Sequence, residues 1–195
     1  RQDTMSKARL FRLFNLYPSE AKKSFFFMLL GMLWALGATG ALRFSDTQFI
    51  LHLDSEDFPK AYIMISLVLF GVVVYFLRRS TSIALNVIFS RVLLTGIFLF
   101  ATIFSCIALM PYAAMPYLAF ILKVFSEVFL LLLINCFWNF IDEYHDLQNA
   151  KRIYGLLSGA TFFGMACAGL VVMLSSYSLF LAAAIILLSL AAAIF

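Results

Sequence analysis

Long apolar runs separated by short polar stretches set the pattern of this chain. Six runs, near residues 24–42, 61–77, 92–110, 118–141, 155–174 and 178–195, each approach the ~20 residues a helix needs to cross a bilayer. They predict an all-α membrane protein, a six-helix transmembrane bundle filling residues 24–195. Residues 1–23 follow a different pattern. "SKARLFRLFNLYPSEAKK" sets Leu10, Leu13, Phe14 and Tyr17 at helical spacing with basic residues between them. That predicts a cytoplasmic amphipathic segment lying at the interface before the first crossing. The alternative is a disordered basic tail. No secretory signal pattern precedes the first apolar run.

Composition strengthens the membrane reading. Hydrophobic residues make up 64% of the chain, charged residues only 12%, and the mean hydropathy is +1.01. An ordinary soluble core does not absorb that much apolar sequence in unbroken runs, so the lipid bilayer is the expected surrounding. Residue 1 is Arg and the sixth run reaches the last residue without a polar flank, so the chain reads as part of a longer protein.

Charge then gives an orientation. Of the 14 lysines and arginines, all but Arg43, Lys60 and Lys123 fall in the N-terminal segment or in the second and fourth connections. With six crossings these lie on one side, which the positive-inside rule makes the cytoplasm. The first connection, on the other side, carries Arg43 and Lys60 but also Asp46, Asp54, Glu56 and Asp57. The net charge of +4 is therefore expected to report topology and not a nucleic-acid partner.

The fourth run, "FILKVFSEVFLLLLINCFWNFIDEY", carries the candidate chemistry. At about 100° per residue, Lys123, Glu127, Asn135, Trp138 and Asp142 fall within roughly 120° of one helical face, with Asn139 just beyond it. Leu122, Phe125, Phe129, Leu132, Leu133, Phe137 and Phe140 occupy the other side, which is expected to face lipid. Lys123 and Glu127 stand four apart and can pair, which lowers the cost of placing them in a membrane. Two readings follow. Either the pair is an internal salt bridge that fixes packing, or the stripe is the wall of a solute pathway, the default for ionisable residues inside a bilayer.

The fifth run has another logic. Gly155, Gly159, Ala160, Gly164 and Ala168 recur at short intervals, and small residues let membrane helices approach closely. They are expected at a helix-packing contact within the bundle or, alternatively, at a homodimer face. Cys106, Cys136 and Cys167 fall inside spans without metal-ligand spacing and read as small packing residues. His52 and His145 are isolated. Neither a nucleophile with its base nor a phosphate-cradling glycine loop is present, so no enzyme, metal or cofactor is expected.

The block "FSEVFLLLLINCFWNFIDEYHDLQNAKRIYGLLSGA" resembles the fourth-to-fifth helix region of the bacterial and plastid ATP/ADP translocase family. Ser126–Glu127, "FWNF" at 137–140 and "AKRIYGL" at 150–156 carry the resemblance. "FNLYPSEAKKSFFF" and "ALRFSDTQFI" are weaker echoes of the segments entering and ending the family's first helix. The resemblance implies a major-facilitator-like architecture of two six-helix halves, with this chain as the N-terminal half and a C-terminal half as its partner. It implies a bacterial inner-membrane location, a cytoplasmic N-terminus, and exchange of nucleotides or another anionic metabolite by alternating access. Glu127 falls on the acidic position that the family uses in transport. Ser45 stands roughly where the family has a lysine, and Lys123 and Arg43 are the cations that would replace it. Asp46 joins them in the implied pathway. The alternative is a translocase-like membrane module that moves no solute and anchors or regulates a soluble domain.

Overall fold

The computed structural model describes residues 18–79, 84–144, 147–175 and 179–194. Among them are six α-helices: α1 (Pro18–His52), α2 (Asp57–Arg79), α3 (Leu85–Leu109), α4 (Met115–Tyr144), α5 (Leu147–Ser175) and α6 (Leu179–Ala192). A single 3₁₀ turn, Tyr112–Ala114, leads into α4. The described residues contain no strand. Of the expected N-terminal segment only residues 18–23 are described, and they form the opening turns of α1.

Five segments are long and apolar enough to cross a membrane: Ala21–His52, Asp57–Phe76, Leu85–Leu109, Tyr112–Tyr144 and Ile153–Met173. The protein is thus a helical bundle of multi-pass membrane type. The sixth expected span is a helix of 14 residues, about 21 Å long.

The main correction to the expected boundaries is at the first helix. It continues from Leu42 to His52, so Arg43 and Asp46 lie on the helix and not in a connection. Local bonds explain why the helix tolerates this polar stretch. Arg43 and Asp46 pair at i,i+3, and the hydroxyls of Ser45 and Thr47 donate to carbonyls three and four residues back. Phe44, within this stretch, and Phe49, just after it, are buried. The connection that remains, residues 53–56, is short. Asp57 opens α2 near the positive end of its dipole, and Pro59 sits in the first turn, where its missing N–H costs nothing. At the same end of the bundle, Met110 is extended (φ −85°, ψ 151°), as packing before Pro111 favours, and the edge of His52 meets Tyr112 at 5.4 Å.

The bundle is organised around α1, which packs on α4, α5 and α6. Its buried stripe of Phe27, Leu30, Trp34, Ala35, Ala38 and Ala41 meets aromatic residues of α4, with Trp34 and Phe137 centred 5.2 Å apart. From α4, Phe137 also touches Phe89 of α3, and Phe129 meets Phe100 at 5.3 Å. α2 packs chiefly on α4, through Ile65, Leu69 and Val72.

This arrangement corrects the expected orientation of α4. Leu122, Phe129, Leu133 and Phe137 do not face lipid; they are wholly or almost wholly buried in the bundle. The polar positions Asn135, Asn139 and Asp142 are the exposed ones. The physical reason is that lipid and protein core are equally apolar, so apolar side chains alone do not tell one from the other.

Candidate functional site

The longer α1 brings four ionisable side chains together. Lys123 Nζ donates to Asp46 Oδ1 across the helix pair at 2.7 Å and to Glu127 Oε2 on its own helix at 2.8 Å. Arg43 Nη1 lies 3.4 Å from Asp46 Oδ2. The Lys123 side chain is 4% exposed, the two carboxylates 26% each, and Arg43 61%. A buried ammonium thus sits behind two half-open carboxylates, with a guanidinium at the rim. Lys123 also lies 5.8 Å from the ring centre of Tyr62 on α2, within cation–π range.

Charge and geometry explain why this cluster is stable in an apolar setting. Two cations and two anions cancel, and both contacts of Lys123 have the short lengths of charge-assisted hydrogen bonds. An ammonium left alone at mid-membrane costs roughly 2.5–3.5 kcal/mol on insertion scales. Asp46 is six residues, about 9 Å, from the end of α1, and Lys123 is eight residues, about 12 Å, from the start of α4. The cluster therefore lies toward the end carrying the α1–α2 and α3–α4 connections. Ser45 and Ser126 are sealed in the packing beside it, and each hydroxyl is spent on its own helix. Ser45 is thereby closed off from solvent.

The rest of the α4 stripe goes elsewhere. Asn135 donates to the Leu131 carbonyl at 2.8 Å and borders a cavity of about 330 Å³ between α2, α3 and α4, together with Asn139. Trp138 meets Tyr154 of α5 edge-on at 5.5 Å, and the Tyr154 hydroxyl donates to Asp142. The stripe expected to be continuous is therefore divided among three places: the α1 charges, the α2–α3 side, and α5.

Sequence reasoning placed Lys123 with Glu127 but missed Tyr62 and Tyr154. Tyr154 stood inside a singled-out motif, "AKRIYGL", without a role. Asp46 was named as a pathway residue yet assigned to a connection. A lysine inside an apolar run calls for counter-charges, and "RFSDTQFI" is the only other span-like stretch here that holds an isolated acid.

The small residues of α5 also divide. Gly164 lies against α1 so closely that a Cβ there would overlap the Met32 carbonyl oxygen, and Ala168 is buried. Gly155 and Gly159 instead face open space, so they make no packing contact among the described residues. Gly155 and Gly164 are nine residues apart, about two and a half turns, which places them on opposite faces. No protein-family model, curated protein or solved structure matches this chain.

Proposed function

We propose that this chain is one half of a secondary transporter of the ATP/ADP-exchanger type, moving a nucleotide or another anionic metabolite by alternating access. The observation that carries the reading is the Arg43–Asp46–Lys123–Glu127 cluster, which joins two helices inside the apolar bundle. Ionisable groups so placed serve a pathway by default. In this mechanism the cluster is a latch. An entering phosphate or carboxylate meets the exposed Arg43 first, and it then competes with Asp46 for Lys123. Each gain of contact with the solute weakens the α1–α4 bridge, so that binding favours separation of the helices. The architecture proposed is the N-terminal half of a major-facilitator-like protein in the bacterial inner membrane, with the N-terminus in the cytoplasm and a second six-helix half opposite.

Uptake of labelled ATP, ADP and smaller anions into proteoliposomes of the full-length protein tests this. Uptake of at least one is expected, abolished by Lys123→Ala and by Glu127→Gln while both variants remain folded. Absence of uptake for every anion would sink the transporter reading. One observation favours a second reading, a module that moves no solute: Lys123 is already matched by two carboxylates and almost wholly buried. In that case, replacing Asp46, Lys123 and Glu127 together by Leu leaves the folded protein as stable as before.

A further inference from the structure

Consecutive helices α2 and α3 diverge, and a cavity of about 740 Å³ opens between them with α4 as its floor. Met64, Val68 and Val72 line one wall, Val92 and Leu99 the other, and Val128 the floor. Met64 and Val68 are exposed, so the cavity opens sideways out of the bundle. In a protein with membrane-spanning helices, an apolar opening of this kind suits a lipid tail.

The lining is apolar except near one end, where it includes Tyr75, Arg91 and Thr95. Arg91 is exposed, and no carboxylate pairs with it among the described residues. The sequence from Arg78 to Arg91 holds three arginines and no Asp or Glu. From Met64 to Phe76 the groove follows α2 for twelve residues, about 18 Å, close to the depth of one leaflet, half of the ~30 Å core.

We propose that this groove is a binding site for an anionic phospholipid. One acyl chain lies along α2 and α3, and the phosphate rests on Arg91. An apolar channel of leaflet depth matches a tail, and an unpaired guanidinium stands at the end where a headgroup sits. Arginine suits the oxygens of a phosphate, and its aliphatic stem reaches along apolar surface to the interface. The surplus of positive charge near that end favours an anionic headgroup over a zwitterionic one. The smaller cavity bordered by Asn135 and Asn139 shares Phe76, Ile88 and Leu132 with the groove, so amide groups adjoin its basic end. This site lies apart from the α1–α4 charge cluster and does not depend on the transport reading.

The test is native mass spectrometry of the full chain in neutral detergent, titrated in parallel with dioleoyl phosphatidylglycerol, dioleoyl phosphatidylcholine and inorganic phosphate. Retention of one phosphatidylglycerol is expected, about tenfold above phosphatidylcholine, the effect of one charge-assisted contact. Phosphate alone is expected not to be retained. Arg91→Ala should reduce phosphatidylglycerol to the phosphatidylcholine level, and Arg91→Lys should keep part of the preference. Val68→Trp, at an exposed position where folding is undisturbed, should block retention by filling the channel. Equal retention of the two lipids, or undiminished phosphatidylglycerol binding in both Arg91→Ala and Val68→Trp, would overturn the proposal. Retention of phosphate alone would overturn it too, marking a plain anion site.

Discussion

α1 and α2 have the same mean hydropathy over their spans, yet they have opposite places in the molecule. Most of the apolar stretch of α1 is buried against three other helices, whereas α2 is buried along one narrow stripe and exposes Ile63, Leu67, Phe70 and Tyr75. The difference lies in side-chain size. Between residues 31 and 42, "GMLWALGATGAL" alternates small residues with Trp34 and leucines, so neighbouring helices approach its backbone from several sides. α2 offers "YIMISLVLFGVVVYFL", bulky nearly all round, with a single Gly71 that faces open space. Hydropathy finds helices that belong in a membrane. Small residues find the one at the centre.

The sharpest way to break this contrast is a pair of glycine substitutions. Gly164→Leu drives a side chain into the Met32 backbone on α1 and should cost more than about 3 kcal/mol, above the usual penalty for overpacking. Gly71→Leu, in open space on α2, should stay within about 0.5 kcal/mol. Unfolding titrations in mixed micelles read both. Equal destabilisation by the two would mean that α1 is not the hub. Next comes a pair of phenylalanines. Phe137→Ala empties a fully buried site beside Trp34 and should cost about 3 kcal/mol, whereas Phe70→Ala on the outer face of α2 should leave the midpoint unchanged.

The smallest effect of the three concerns charge. Lys123→Ala leaves Glu127 without its cation and Asp46 with the exposed Arg43 alone. The loss should be about 2 kcal/mol, below the range for fully buried pairs, because both carboxylates retain a quarter of their exposure. Lys60→Ala on α2 breaks a pair of the same kind with Asp57, but at the exposed mouth of the helix, and no shift of midpoint should be detectable. A Lys60→Ala effect matching that of Lys123→Ala would show that burial does not set the value of these contacts.

Much of the fold was legible as period and length. The five long helices announced themselves as apolar runs, and the Lys123–Glu127 spacing was enough to pair those two groups. Other features escaped for different physical reasons. The partner of Lys123 on α1 depends on that helix continuing through Arg43-Phe44-Ser45-Asp46, where hydropathy falls but local hydrogen bonds hold the helix. The inward face of α4 was hidden because aromatic residues suit lipid and core alike. The split of α5 was available in principle, since nine residues between Gly155 and Gly164 reverse the face, but counting small residues without their phase merged two surfaces. Trp138 and Asp142 belong with Tyr154, and only the tertiary fold places that hydroxyl beside them.

The charge cluster has a consequence for how the protein is made. Arg43 with Asp46 on α1, and Lys123 with Glu127 on α4, give each helix its own counter-ion within one turn. Each helix can therefore leave the translocation machinery with these mid-helix charges already paired, α1 before α4 is synthesised. The bond from Lys123 to Asp46 forms only after both are in place. The bridge between α1 and α4 is thus assembled from two parts that were each safe to insert alone.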